Sequence, residues 1–62
     1  MKVVPKYRIG TKVVLIHDQY TLFSVVAVKE NQYGYPLYNL SGDEYSLKDV
    51  PESDIEEEIT NP

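Results

Sequence analysis

The sequence predicts an all-β domain of five short strands, and three observations carry that prediction. Residues rich in Val, Ile, Tyr, Phe and Thr recur in short runs, turn-forming residues separate the runs, and the runs follow one another closely, as they do in a barrel or a sandwich. At 62 residues the chain makes a single domain. A domain of this size buries only about 60% of its unfolded surface, so the core is small.

The first run is Tyr7-Arg8-Ile9, followed by Gly10-Thr11 and then Lys12 to Ile16. A glycine inside such a pattern marks a bulge or a sharp bend. His17-Asp18-Gln19-Tyr20 is polar and reads as a loop. Thr21 to Lys29 is the second strand, with Val25-Val26 at its β-branched centre. Glu30 to Pro36 is the next loop, where Gly34 supplies a residue able to take positive φ. Leu37 to Leu40 is a short third strand, and Ser41-Gly42-Asp43 is a tight hairpin turn. Glu44 to Lys48 is the fourth strand, with Tyr45 and Leu47 on one face. Asp49 to Asp54 is a corner, and the last run is Ile55 to Ile59.

That last run supports two structures. Ser53-Asp54-Ile55-Glu56 matches a helix capping box, and a helix would place Ile55 and Ile59 on one face. A strand would instead place Ile55, Glu57 and Ile59 together.

Composition excludes several classes. There is no cysteine, hence no disulfide and no thiolate metal site. His17 alone cannot build a zinc site without several carboxylates beside it. No metal, cofactor or catalytic residue is expected. Met1 to Pro5 has no long apolar stretch before Lys6 and Arg8, so no signal peptide is expected. The longest apolar run, Val13 to Ile16, is far short of the ~20 residues that cross a bilayer. The expectation is a cytoplasmic protein with no membrane partner. The net charge of −4 is uneven, with bases at Lys2, Lys6, Arg8 and Lys12 and acids concentrated from Asp43 to Glu58. An acidic chain repels the phosphate backbone, which disfavours nucleic acid as a partner.

Certain short segments resemble a known family of folds. Tyr7-Arg8-Ile9-Gly10-Thr11-Lys12-Val13 resembles the opening of Tudor-like and KOW-like small barrels. Tyr38-Asn39-Leu40 resembles their third strand, and Val50-Pro51-Glu52-Ser53-Asp54-Ile55 resembles their closing corner. The whole is similar to short uncharacterised proteins of Gram-positive bacteria and their phages. The resemblance implies a five-stranded SH3-like barrel with a long first loop and a short 3₁₀ turn before the last strand. It divides the chain into an N-terminal extension (1–5), the barrel (6–59) and a frayed C-terminus (60–62). In such barrels the first and last strands are neighbours. This favours a strand at 55–59 and sets basic residues 2–12 against acidic residues 52–58, with Lys12 or Arg8 near one of Glu56 to Glu58. Opposite charges across strands contribute roughly 0.2–1 kcal/mol per pair.

Alternation along these strands predicts a core of Ile9, Val13, Leu15, Val25, Ala27, Tyr38, Leu40, Leu47, Val50 and Ile55. Val14, Ile16, Leu22, Val26 and Val28 exceed what one face absorbs, and suit either a barrel edge or a contact with another chain.

The aromatic residues are the candidate site. Tyr20, Tyr33 and Tyr35 fall in loops, with Phe23 nearby in sequence, and tyrosine suits binding surfaces because it joins an apolar ring to a hydrogen-bonding tip. The same rings also suit lids over the barrel ends. His17 has Asp18 and Ser24 near it in sequence, but no motif joins them into a nucleophile and base. Glu56-Glu57-Glu58 lacks the glycine turn of a calcium loop. The function expected is a non-enzymatic protein-interaction module, and the resemblance implies an accessory protein of a phage or prophage. A nucleic-acid-associated barrel and a structural protein that oligomerises through strand edges are the alternatives.

Overall fold

The computed structural model describes residues 4–58. It contains strands β1 (Lys12–Leu15), β2 (Asp18–Glu30), β3 (Pro36–Ser41), β4 (Ser46–Pro51) and β5 (Ile55–Glu57), with a 3₁₀ turn at Glu52–Asp54 between the last two. All pairings are antiparallel, and the sheet order is β4-β3-β2-β1-β5. The ladder runs from edge to edge and is not closed into a barrel. No helix among the described residues is long and apolar enough to cross a membrane.

Residues 55–57 form a strand rather than a helix, antiparallel to β1, with Val14 opposite Glu56 and Leu15 opposite Ile55. The Ile16 amide donates to the Asp54 carbonyl and the Glu58 amide to the Lys12 carbonyl, which extends this pairing at both ends. Lys12 and Glu58 are therefore neighbours along the backbone. The Lys12 ammonium, however, donates to Ser24 Oγ at 2.7 Å. Among the described residues the ion pair within reach is Lys29–Asp49, from β2 to β4. Lys2, Ile59 and the C-terminal residues 60–62, expected to be frayed, lie outside the described residues.

The core consists of Tyr7, Val13, Phe23, Val25, Tyr38, Leu40, Val50 and Ile55, with Leu15, Val28 and Leu47 packed against it. Every strand contributes, so the sheet curls around its own apolar face. Two expectations need correction. Ile9 is 68% exposed because Arg8-Ile9-Gly10-Thr11 is a turn. The Thr11 amide donates to the Arg8 carbonyl, Gly10 holds φ 95°, and Ile9 sits at the apex. The core position goes to Tyr7 instead. Ala27 yields its place to Val28, because β2 carries one extra residue between Val25 and Ala27 relative to β3. A bulge of one residue reverses the alternation beyond it, so Val28, opposite Tyr38, packs on the core.

The long first loop is also absent. Leu15 pairs with Asp18, so only Ile16-His17 turns the chain, and the remaining excess length bulges from β2 between Asp18 and Leu22. The Asp18 carboxylate organises that bulge by accepting from the Tyr20 amide at 3.1 Å and from the Thr21 hydroxyl. The fourth strand lies further along than expected. The turn before it is closed by the Gly42 amide donating to the Tyr45 carbonyl. Asp49 is not a corner but a residue of β4 in the left-handed region, φ 57°, at the register shift opposite Asn39.

Candidate functional site

Three segments without regular strand structure meet at one end of the sheet. The first is the N-terminal arm at Lys6 and Tyr7. The second is the loop from Asn31 to Tyr35, which joins β2 to β3. The third is the 3₁₀ turn. Between them lies an open groove of about 620 Å³, lined by Lys6, Tyr7, Ile16, Tyr35, Pro51 and Ile55 among others.

Each wall has a local cause. In the 31–35 loop, Asn31 Oδ1 accepts from the amides of Tyr33 (2.8 Å) and Tyr35 (3.0 Å). The Gly34 amide donates to the Asn31 carbonyl, and Gly34 holds φ 85°. An asparagine that imitates a backbone turn, followed by a glycine that supplies positive φ, fixes the loop. Tyr35 is thereby presented at the groove while 56% of its surface stays exposed. The 3₁₀ turn follows Pro51, whose φ of −66° and ψ of 148° aim the chain out of β4, and it ends with the Ile55 amide donating to the Glu52 carbonyl.

The arm is held by side chains. Tyr38 Oη accepts from the amides of Lys6 (3.1 Å) and Tyr7 (3.2 Å) and donates to Glu52 Oε2 at 2.7 Å. That same carboxylate oxygen accepts from the Lys6 amide at 3.0 Å. The Tyr7 ring meets the Tyr38 ring edge-on with centroids 5.6 Å apart, its hydroxyl reaches toward the Ile55 carbonyl, and the Lys6 ammonium lies 5.5 Å from its centroid. Burial, followed by the hydrogen bond to the Glu52 carboxylate, pushes the Tyr38 hydroxyl above the ordinary tyrosine value of 10.0, against the opposite pull of the two backbone amides. Glu52 is thus a wall of the groove and the clasp of its opposite wall.

The four aromatic residues singled out from sequence do not form one surface. Tyr35 lines the groove. Tyr33 lies two residues before it in the same loop and is exposed. Tyr20 is fully exposed on the β2 bulge. Phe23 is 1% exposed, packed edge-on against Tyr45, and so presents no surface to a partner. His17 is exposed in the β1–β2 turn. Among the described residues no three His, Asp or Glu side chains are grouped so as to hold a metal.

Sequence reasoning missed Tyr7 and Glu52 as site residues, although both stand in the short segments that carry the family resemblance. The available signal was their position: each lies just outside a strand, where a large or charged side chain is free to face a neighbouring segment. Comparison of the chain with protein-family models, with curated proteins and with solved structures gives no match. The fold and the groove define a small all-β protein with a concave, partly apolar surface among its described residues.

Proposed function

We propose that this sheet is a partly open SH3-like barrel that works as a non-enzymatic protein-interaction module, with the groove as its docking surface. The strand order and the 3₁₀ turn before β5 support the barrel reading. The observation that carries the function is the groove itself, in which the exposed side chains of Ile16, Tyr35 and Pro51 line one concavity. Concave, mainly apolar surfaces with a few polar groups are where ligands dock. The partner is another protein, which inserts a short apolar segment between Tyr35, Ile16 and the 3₁₀ turn.

The alternatives receive less support. The two sheet edges are blunted against oligomerisation. β4 carries a bulge and ends in Pro51, and β5 is three residues long with Glu56 and Glu57 exposed. The acidic balance opposes a nucleic-acid role.

Affinity capture from the source cell, with mass spectrometry of the bound proteins, tests the proposal. A protein retained by the wild type should be lost with the Ile16→Ser/Tyr35→Ser double variant and kept with Tyr20→Ser, all three domains remaining folded by circular dichroism. Retention by the double variant would reject the groove. Identification of a host protein among the captured species would place the protein in the phage or prophage setting that the resemblance implies.

A further inference from the structure

We infer that Tyr38 and Glu52 are positioning residues for the groove: their hydroxyl–carboxylate pair docks the Lys6–Tyr7 arm as one wall, and the docking of the arm is coupled to occupancy of the groove. This inference rests on the reading of the groove as a binding surface.

Four observations support it. Lys6 and Tyr7 belong to no strand, and the hydrogen bonds of their amides go to the Tyr38 hydroxyl and the Glu52 carboxylate rather than to the sheet. A single phenolic oxygen therefore accepts from two consecutive backbone amides while donating its own proton to Glu52 Oε2. The Tyr38 ring is fully buried in the core, so its hydroxyl stands at a fixed point set by β3. Lys6, Tyr7 and Glu52 all line the groove, so whatever displaces the arm changes the groove's shape.

The coupling follows from linkage. A ligand that touches the docked arm binds the docked state more tightly than the released one, and so shifts the arm toward docking. By the same linkage, a variant that releases the arm weakens the ligand in proportion to the fraction of chains whose arm is left undocked. Tyr38→Phe keeps the ring and removes the shared acceptor. Glu52→Ala removes the second acceptor and the partner of the hydroxyl. Glu52→Gln keeps a carbonyl oxygen that can accept from both Tyr38 and the Lys6 amide, and it should restore much of the docking.

The experiment measures amide hydrogen exchange by NMR on the full chain, with and without indole as a small apolar probe, and maps indole binding by chemical-shift changes. Tyr38→Phe and Glu52→Ala should speed exchange at Lys6 and Tyr7 about tenfold relative to amides of the β2–β3 ladder, since a lost buried hydrogen bond is of that order. Both should weaken indole to the extent that the arm is left undocked, and Glu52→Gln should recover most of each effect. Saturating indole should slow exchange at Lys6 and Tyr7 in the wild type. Unchanged exchange at Lys6 and Tyr7 in both Tyr38→Phe and Glu52→Ala would overturn the inference. So would an arm released without any loss of indole affinity. A wild type that shows no indole-induced shifts at groove residues would count against the groove reading itself, and would leave the docking role of Tyr38 and Glu52 to stand or fall on the exchange rates.

Discussion

A methyl group added at Gly42 would lie 2.9 Å from Phe23 Cε1 and 3.0 Å from the Tyr45 carbonyl oxygen. The Phe23 ring is locked in the core and the carbonyl is backbone, so neither yields cheaply. Gly42→Ala should destabilise the domain by roughly 1–3 kcal/mol, the usual cost of overpacking, read as a lower midpoint in urea unfolding. Gly10 poses a different constraint. A Cβ there meets open space, but the residue holds φ 95°, so Gly10→Ala should cost about 1 kcal/mol through torsion alone. Tyr38 makes a prediction in pH. Its hydroxyl titrates above the ordinary value of 10.0 in the folded chain, so the unfolded chain loses that proton first as pH rises. The stabilisation is fully present below the unfolded value and is lost progressively as pH climbs toward the folded one. Denaturant midpoints measured from pH 8 to pH 11 should therefore fall above about pH 10, and Tyr38→Phe should flatten that decline.

Strands in this protein keep their hydrophobic face through bulges. The extra residue at Val26 turns β2 so that Phe23 and Val25 on one side of it and Val28 on the other all reach the core. In β4 the bulge includes Asp49, which holds φ 57°. Its amide donates to Asn39 Oδ1 at 3.1 Å and its carboxylate pairs with Lys29. Aspartate and asparagine tolerate this conformation because their short polar side chains hydrogen-bond locally, whereas a β-branched residue does not. Asp49→Asn should be nearly neutral, because the ion pair it loses is exposed and contributes little. Asp49→Val should cost about 1–2 kcal/mol and should disturb the chemical shifts of Leu47 and Val50 across the bulge. If Asp49→Val leaves stability and those shifts unchanged, the bulge does not depend on the residue that occupies it.

For the molecule as a whole, little stability is in reserve. A 62-residue domain is held by about 3–9 kcal/mol in total. Truncating a buried phenylalanine costs about 3–5 kcal/mol, so Phe23→Ala should remove a large part of that total and sharply lower the urea midpoint read by circular dichroism. Tyr20→Ala, on a fully exposed ring, should change stability by less than about 0.5 kcal/mol. The contrast separates two aromatic residues that look alike in sequence, and a Phe23→Ala variant as stable as the wild type would contradict the placement of Phe23 in the core.

The number and order of strands were legible in the sequence because apolar β-branched runs and turn residues record them directly. Eight of the ten residues expected in the core are in it or packed against it for the same reason of alternation, among them Val13, Val25, Tyr38 and Leu40. The groove was not legible. It is made by Lys6, Tyr35 and Glu52, residues far apart in the chain that meet only when β3 brings the Tyr38 hydroxyl beneath the arm. Bulges hid the remainder, since one extra residue exchanges the faces of a strand without altering its composition, as at Ala27 and Val28. The sequence by itself determined an all-β domain of short strands whose breaks include the glycine-bearing turns at Gly10, Gly34 and Gly42. Only the tertiary structure decided that Ile9 stands in solvent, that Phe23 lies in the core and that Glu52 clasps the arm. Local propensity is set by each residue and its neighbours, while burial and hydrogen-bond partnership are set by which segments the curled sheet brings together.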